Sequence, residues 1–115
     1  MIKVMWFLKR ADHLSLEEFR SWWLDSHIDL VLSLQKDHLY KYTVSIRESD
    51  QDTLPGNTDV NFDWDGCAEQ WFETEADFNA VYGNPTPSES REDSHNHVSK
   101  MARMIVRETA VVTPD

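Results

Sequence analysis

The chain has 115 residues, the usual size of one domain, and a formal net charge of −10. Its 40% hydrophobic and 28% charged residues are an ordinary globular mixture, without the run of about 18 apolar residues that a membrane-spanning helix needs. An acidic surface repels phosphate backbones, so nucleic acid is not an expected partner; without a spanning run, neither is a membrane. The single cysteine, Cys67, cannot close an internal disulfide, and Met1-Ile2-Lys3-Val4 opens no apolar signal core. Both point to a cytoplasmic setting.

Residues 2–9 alternate Ile2, Val4, Trp6 and Leu8 with Lys3, Met5, Phe7 and Lys9, which predicts a strand. Its middle is apolar on both faces, so both faces need cover. Ser15-Leu16-Glu17-Glu18 has the form of a capping box and starts a helix running to about Leu34. The helix's apolar stripe is Leu16, Phe19, Trp23, Leu30, Val31 and Leu34, with His27 inside it. Residues 39–48 alternate again, with Tyr40, Tyr42, Val44 and Ile46 on one side. Ser49 to Gly66 is a polar, acidic loop with a turn at Pro55-Gly56-Asn57. A third strand is expected at 67–73 and a short helix capped by Thr74 to about Tyr82. Beyond the breaker Gly83 to Pro87, a second helical piece from Ser88 to Met101 and a last strand at 103–112 complete the order.

This β-α-β-β-α-β order predicts a single α+β domain over residues 1–115, of the ferredoxin-like type. It has a four-stranded antiparallel sheet with its helices on one face. Met5, Phe7 and Trp71 would lie on the other face, and a second copy of the chain would cover it.

His27 is the sharpest candidate for chemistry, because imidazole titrates near neutral pH and suits general acid–base work. On spacing alone, a core histidine with satisfied nitrogens is the favoured alternative. Tyr42 could hydrogen-bond a substrate oxygen, with Tyr40 as the fallback on the same face. Gln70 could donate to a developing oxyanion. Trp6 and Trp23 could wall a cleft, although core packing explains them as well. Cys67 lacks a base nearby in sequence and is read as a small buried hydrophobe. Asp93, His95 and His97 do not make a metal site on a helix: 95 and 97 point apart, and only 93 and 97 share a face. The acidic loop lacks the spacing and glycine of an EF-hand. No phosphate loop, nucleophile elbow or CxxC is present in the sequence. The expectation is no metal and no cofactor.

The opening strand, then LSLEEFRSWWLDSH (residues 14–27) and DLV (29–31), resembles the EthD family. The shared features are Ser15, Glu17, Glu18, Phe19, the pair Trp22 and Trp23, and His27 in mid-helix. Asp93 through Val112 also resembles that family's closing helix and strand. Where the family often has a small residue and a proline after the histidine, this chain has Ile28 and Asp29. The resemblance implies a homodimeric α/β barrel with a cleft in each subunit between sheet and helices. It does not imply one reaction, since such folds host isomerases, dehydratases, decarboxylases and cofactor-free monooxygenases. Muconolactone-type isomerases are the nearest characterised type. Of their cleft residues, the helix histidine and strand tyrosine match His27 and Tyr42, whereas Gln70 stands where a cysteine is expected. Cys67, three positions earlier, falls on the opposite strand face.

The function expected from these features is a cofactor-free isomerase or lyase. Its substrate would be a small oxygenated cyclic compound (lactone, phenol or polyketide-like), in catabolism of aromatic compounds or in biosynthesis. His27 would move the proton, and Tyr42 with Gln70 would hold the charged oxygen. A cofactor-independent monooxygenase and a non-catalytic ligand-binding protein are the alternatives. Oxygen consumption would mark the first, and binding without turnover the second.

Overall fold

The computed structural model describes residues 1–50, 63–83 and 89–114. The expected turn at Pro55-Gly56-Asn57, most of the acidic loop and the Pro85–Pro87 breaker lie outside them. Four strands form one sheet in the order β2-β3-β1-β4: β1 is Ile2–Arg10, β2 Lys41–Ile46, β3 Gly66–Phe72 and β4 Val98–Val106. Every pairing is antiparallel. With helices between β1 and β2 and between β3 and β4, this is the ferredoxin-like split βαβ arrangement.

The register divides β1 as its sequence alternation requires. Val4 pairs with Gln70, Trp6 with Ala68 and Leu8 with Gly66, all on the helix-covered face. Lys3, Met5 and Phe7 pair with Trp71, Glu69 and Cys67 on the open face. That open face is more charged than the expected apolar stripe. Lys3 is only 7% exposed, bridges Glu69 at 2.5 Å and Glu108 at 2.8 Å, and lies over the Trp71 ring. Lys9 and Lys100 share Asp63, and Lys100 also lies over Trp64. Met104 remains 46% exposed there. Asp65 is buried, accepts the Arg10 backbone N–H at 2.9 Å and pairs with Arg10 and Arg47, so the end of the acidic loop is anchored.

The first helical segment starts at the expected box: Ser15 Oγ accepts from Glu18 N–H at 3.0 Å, and Glu18 accepts from Ser15 N–H at 2.9 Å. It is not one uniform α-helix. α1 spans Leu16–Trp22, a wider turn spans Trp23–His27, and α2 spans Ile28–Gln35. In the wide turn Ile28 N–H bonds Trp23 C=O, five residues back. This is a π-bulge, a feature that recurs at functional sites. At about 100° per residue, steps of four drift about 40° around the helix. A turn that takes an extra residue reverses part of that drift. Trp22, Trp23, His27 and Val31 are consequently all buried, although the uniform spacing kept only the last three inside. Leu34, placed in the stripe, is 45% exposed.

Three further boundaries differ from the sequence-based expectation. β2 begins at Lys41, not 39, so Tyr40 precedes the strand and is 61% exposed. α4 is Glu89–His97, and β4 follows it directly at Val98 instead of starting at 103. The reason is the ladder: β1 needs a partner along its whole length, and pairing runs from Lys3–Val106 to Arg10–Val98. Local alternation at 103–112 yields to that demand, and Val111 and Val112 are left 89% and 88% exposed. α3, Glu75–Tyr82, is capped by Thr74, which accepts from Asp77 N–H, as its sequence indicates.

Candidate active site

Between the sheet and the helices lies a cavity of about 260 Å³. Its floor is Trp6, Leu8, Ala68, Gln70 and Met101; its walls are Trp23, His27, Val31 and Gln35 from the first helical segments, Tyr82 from α3, and Ser90 and Ser94 from α4. Tyr42 lines it as well. Of the sequence-based site residues, His27, Tyr42, Trp6, Trp23 and Gln70 come together here. Tyr40 does not line the cavity; its backbone N–H bonds Trp71 C=O at the start of β2, and its ring faces solvent.

His27 is 6% exposed. Its Nδ1 lies 2.8 Å from Oδ2 of Asp93, which also accepts the Trp22 indole N–H at 3.1 Å. A carboxylate can only accept here, so Nδ1 carries the hydrogen in the neutral ring and Nε2 keeps its lone pair. Nε2 meets Ser94 Oγ at 3.4 Å, inside the cavity wall. Burial pushes the His27 pKa below its ordinary value, with Asp93 opposing that fall and His97 adding to it. Desolvation dominates, so the neutral base is the resting form near pH 7.

The Trp22 ring packs against both histidines. Its centroid is 4.7 Å from that of His27 and 4.5 Å from that of His97, which stacks nearly parallel at 10°. His97 Nδ1 donates to the Asp93 backbone carbonyl at 2.7 Å and lies 3.5 Å from its Oδ1. Asp93 and His97 thus share a helix face, as their spacing predicts, and that face packs against Trp22 and His27. Among the described residues no three His, Cys, Asp or Glu side chains are grouped to hold a metal ion.

A second polar chain crosses the far side of the cavity. The Trp6 indole N–H donates to Tyr82 OH at 2.9 Å, and Tyr82 donates to Gln70 Oε1. Gln70 Nε2 donates to Gln35 Oε1 at 2.6 Å. Gln70 is therefore engaged at both ends of its amide, so it holds the wall in place and has at most one N–H left for a ligand. Tyr42 is half-buried, and burial pushes its hydroxyl up to about 12, weakly opposed by the Trp23 indole. It stays protonated and can donate to an oxygen at any working pH. Among the described residues the buried indole N–H of Trp23 makes no hydrogen bond of normal geometry, although it lies close enough to the Tyr42 hydroxyl to ease its ionisation. Cys67 sits on the open face, outside this cavity, with its thiol pushed up to about 11 by burial.

Asp93 and Ser94 were not legible as partners of His27, being 66 and 67 residues away. Trp22, Gln35 and Tyr82 likewise gave no signal of their own; only the aromatic pair at 22 and 23 hinted at the first.

The EthD domain model matches residues 11–101, which include His27 and Asp93. The chain belongs to the EthD family. No curated protein matches it. An EthD-family protein from Bacillus halodurans C-125 has a similar structure, with TM-score 0.69 and 14% identity over 95% of this chain and 99% of that one. A hydroxynitrile lyase from Passiflora edulis gives TM-score 0.65 and 14% identity over 97% and 96%. A dimeric protein of unknown function with a ferredoxin-like fold, from Bacteroides fragilis NCTC 9343, gives 0.58 and 14% over 93% and 95%. At such identities these likenesses establish the fold and leave the reaction to the site itself.

The electrostatics of His27 generate a test. Its NMR titration should fall below the ordinary histidine value near 6.5. In Asp93→Asn it should fall further, because the carboxylate that favours the charged ring is gone. Stability follows the same sign: between the folded and the unfolded pKa the unfolded chain binds more protons, so His27 makes stability rise with pH through that window and level off above about 6.5. A His27 pKa above 6.5 would contradict the burial that lowers it.

Proposed function

We propose that this EthD-family protein is a cofactor-free enzyme that moves a proton on a small oxygenated cyclic compound, as an isomerase or lyase. The observation that carries the reading is His27, with Nδ1 tied to Asp93 and Nε2 turned to a cavity wall. A buried imidazole kept neutral and oriented by a carboxylate is a general base; after it accepts a proton, it is the acid that returns it. Tyr42 supplies a hydroxyl that stays protonated and can hold an oxygen on which charge develops. Trp6, Trp23 and Val31 keep water scarce around the transfer. A flat ring of lactone or phenol type suits the aromatic walls and a cavity of about 260 Å³. The plant hydroxynitrile lyase supports the reading only in that a protein of the same fold is an enzyme.

The test begins with a thermal-shift screen of lactones, catechols and polyketide-like phenols, followed by turnover of the compounds that bind. His27→Ala and His27→Gln should each lower turnover by about two to four orders of magnitude, the usual general acid–base contribution, with folding retained. Near-native turnover in both variants would make His27 structural, and binding without turnover by the native chain would make the protein a ligand carrier.

The working form proposed is a homodimer joined through the open sheet face. Met5 and Phe7 are half-buried there and Met104 is exposed, an apolar strip between the lysine and carboxylate pairs that a second copy would cover. The Bacteroides fragilis neighbour is itself dimeric. Sedimentation equilibrium at micromolar concentration should give twice the chain mass of 13.5 kDa. A single monomeric species would refute the pairing.

A further inference from the structure

We propose that Ser94 is a nucleophile, and that this chain transfers the acyl group of an uncharged ester or lactone to water, with His27 as the base and Asp93 as its orienter. The inference rests on the reading of His27 as the proton carrier of the cavity and goes beyond it, to a hydrolysis whose substrate is a carboxylic ester.

Asp93 and Ser94 are consecutive on α4, yet they meet opposite nitrogens of one imidazole. Asp93 Oδ2 is 2.8 Å from Nδ1, and Ser94 Oγ is 3.4 Å from Nε2. A hydroxyl, a base and a carboxylate that fixes the base are the three parts of a serine nucleophile's activation, recognised by geometry and not by order in the chain. Ser94 is 6% exposed and lines the cavity, so its hydroxyl is withheld from bulk water and presented to a bound molecule. The 3.4 Å contact is long for a hydrogen bond between these groups. Such contacts commonly tighten when substrate closes the site. Trp22 adds the outer support: its N–H on Asp93 and its ring against His27 hold the imidazole plane. The floor of Leu8, Ala68 and Met101 suits an uncharged acyl group.

The chemistry balances without any further reagent than water. Ser94 Oγ bonds to the acyl carbon while its proton passes to His27 Nε2. The bond from that carbon to the leaving oxygen breaks, and the leaving oxygen takes the proton from Nε2. Water then attacks the acyl-serine, gives one proton to Nε2, and Oγ departs with that proton. A simple ester yields an acid and an alcohol; a lactone yields one hydroxy acid. The charge that gathers on the carbonyl oxygen during both attacks requires a donor, and the Tyr42 hydroxyl on the same cavity can serve.

The probes are a fluorophosphonate and 4-nitrophenyl acetate. The native protein should take one phosphonyl group, mapped by peptide mass spectrometry to Ser94, and should release 4-nitrophenol. Ser94→Ala should take none, and His27→Gln should be labelled at least about a hundredfold more slowly, as loss of a general base implies. A native protein that stays unlabelled under excess probe, is labelled elsewhere, or is labelled equally in Ser94→Ala overturns the proposal. The native result does not depend on any variant folding. If labelling fails while His27→Ala still abolishes turnover of a compound from the ligand screen, acyl transfer alone is wrong. If neither effect is seen, the proton-transfer reading falls with it.

Discussion

The contact between the Asp93 carboxylate and Nδ1 of His27 organises the site. It joins the middle of the first helical segment to α4, two elements 66 positions apart in the chain. Burial alone would leave the imidazole free to choose either tautomer and several orientations. A carboxylate on one nitrogen removes that freedom, because it accepts and never donates. The carboxylate is itself held, by the Trp22 indole on one oxygen and by its place one turn before His97. Loss of Asp93 would strand both a buried N–H and the indole donor, which is costlier than removing the whole group of partners together.

The rest of the fold reads as support for that geometry. The capping box at Ser15 sets where the helix begins, and the π-bulge at Trp23–His27 turns His27 back toward the sheet while keeping two adjacent tryptophans inside. β3 comes close beneath: a Cβ on Gly66 would stand 2.5 Å from Cζ3 of Trp23 and 2.8 Å from the Ser45 carbonyl oxygen. Only a residue without a side chain leaves that indole its place. On the far wall, the chain from Trp6 through Tyr82 and Gln70 to Gln35 satisfies buried polar groups pairwise and ties the sheet to α3 and α2. The two sheet faces divide the labour, one building the cavity and the other carrying paired lysines around Trp64 and Trp71.

Much of this was legible in the sequence because local signals agree with the global fold. Alternation gave β1 its two faces, and the cap with its apolar stripe placed His27 and Trp23 inward. Register then carried Gln70 and Tyr42 to one row of the sheet, where they pair. What stayed hidden depends on long-range geometry. Asp93 drew notice only beside His95 and His97, a trio that helix geometry rejects as a metal site, since nothing local ties it to His27. Trp22 falls outside the stripe of a uniform helix, and only the π-bulge brings it inside. Tyr40 has the parity of Tyr42, but the ladder ends before it. The limits of β4 are set by its ladder to β1 and not by its own alternation, which is why local pattern misplaces it.

The central claim is that Asp93 holds His27 as a neutral base with Nε2 unprotonated. Long-range proton–nitrogen NMR of the imidazole nitrogens at pH 7.5 reads this directly. The predicted result is a neutral His27 with its hydrogen on Nδ1, changing to a mixture of tautomers in Asp93→Asn. A native His27 with its hydrogen on Nε2, or one fully protonated at that pH, would contradict it.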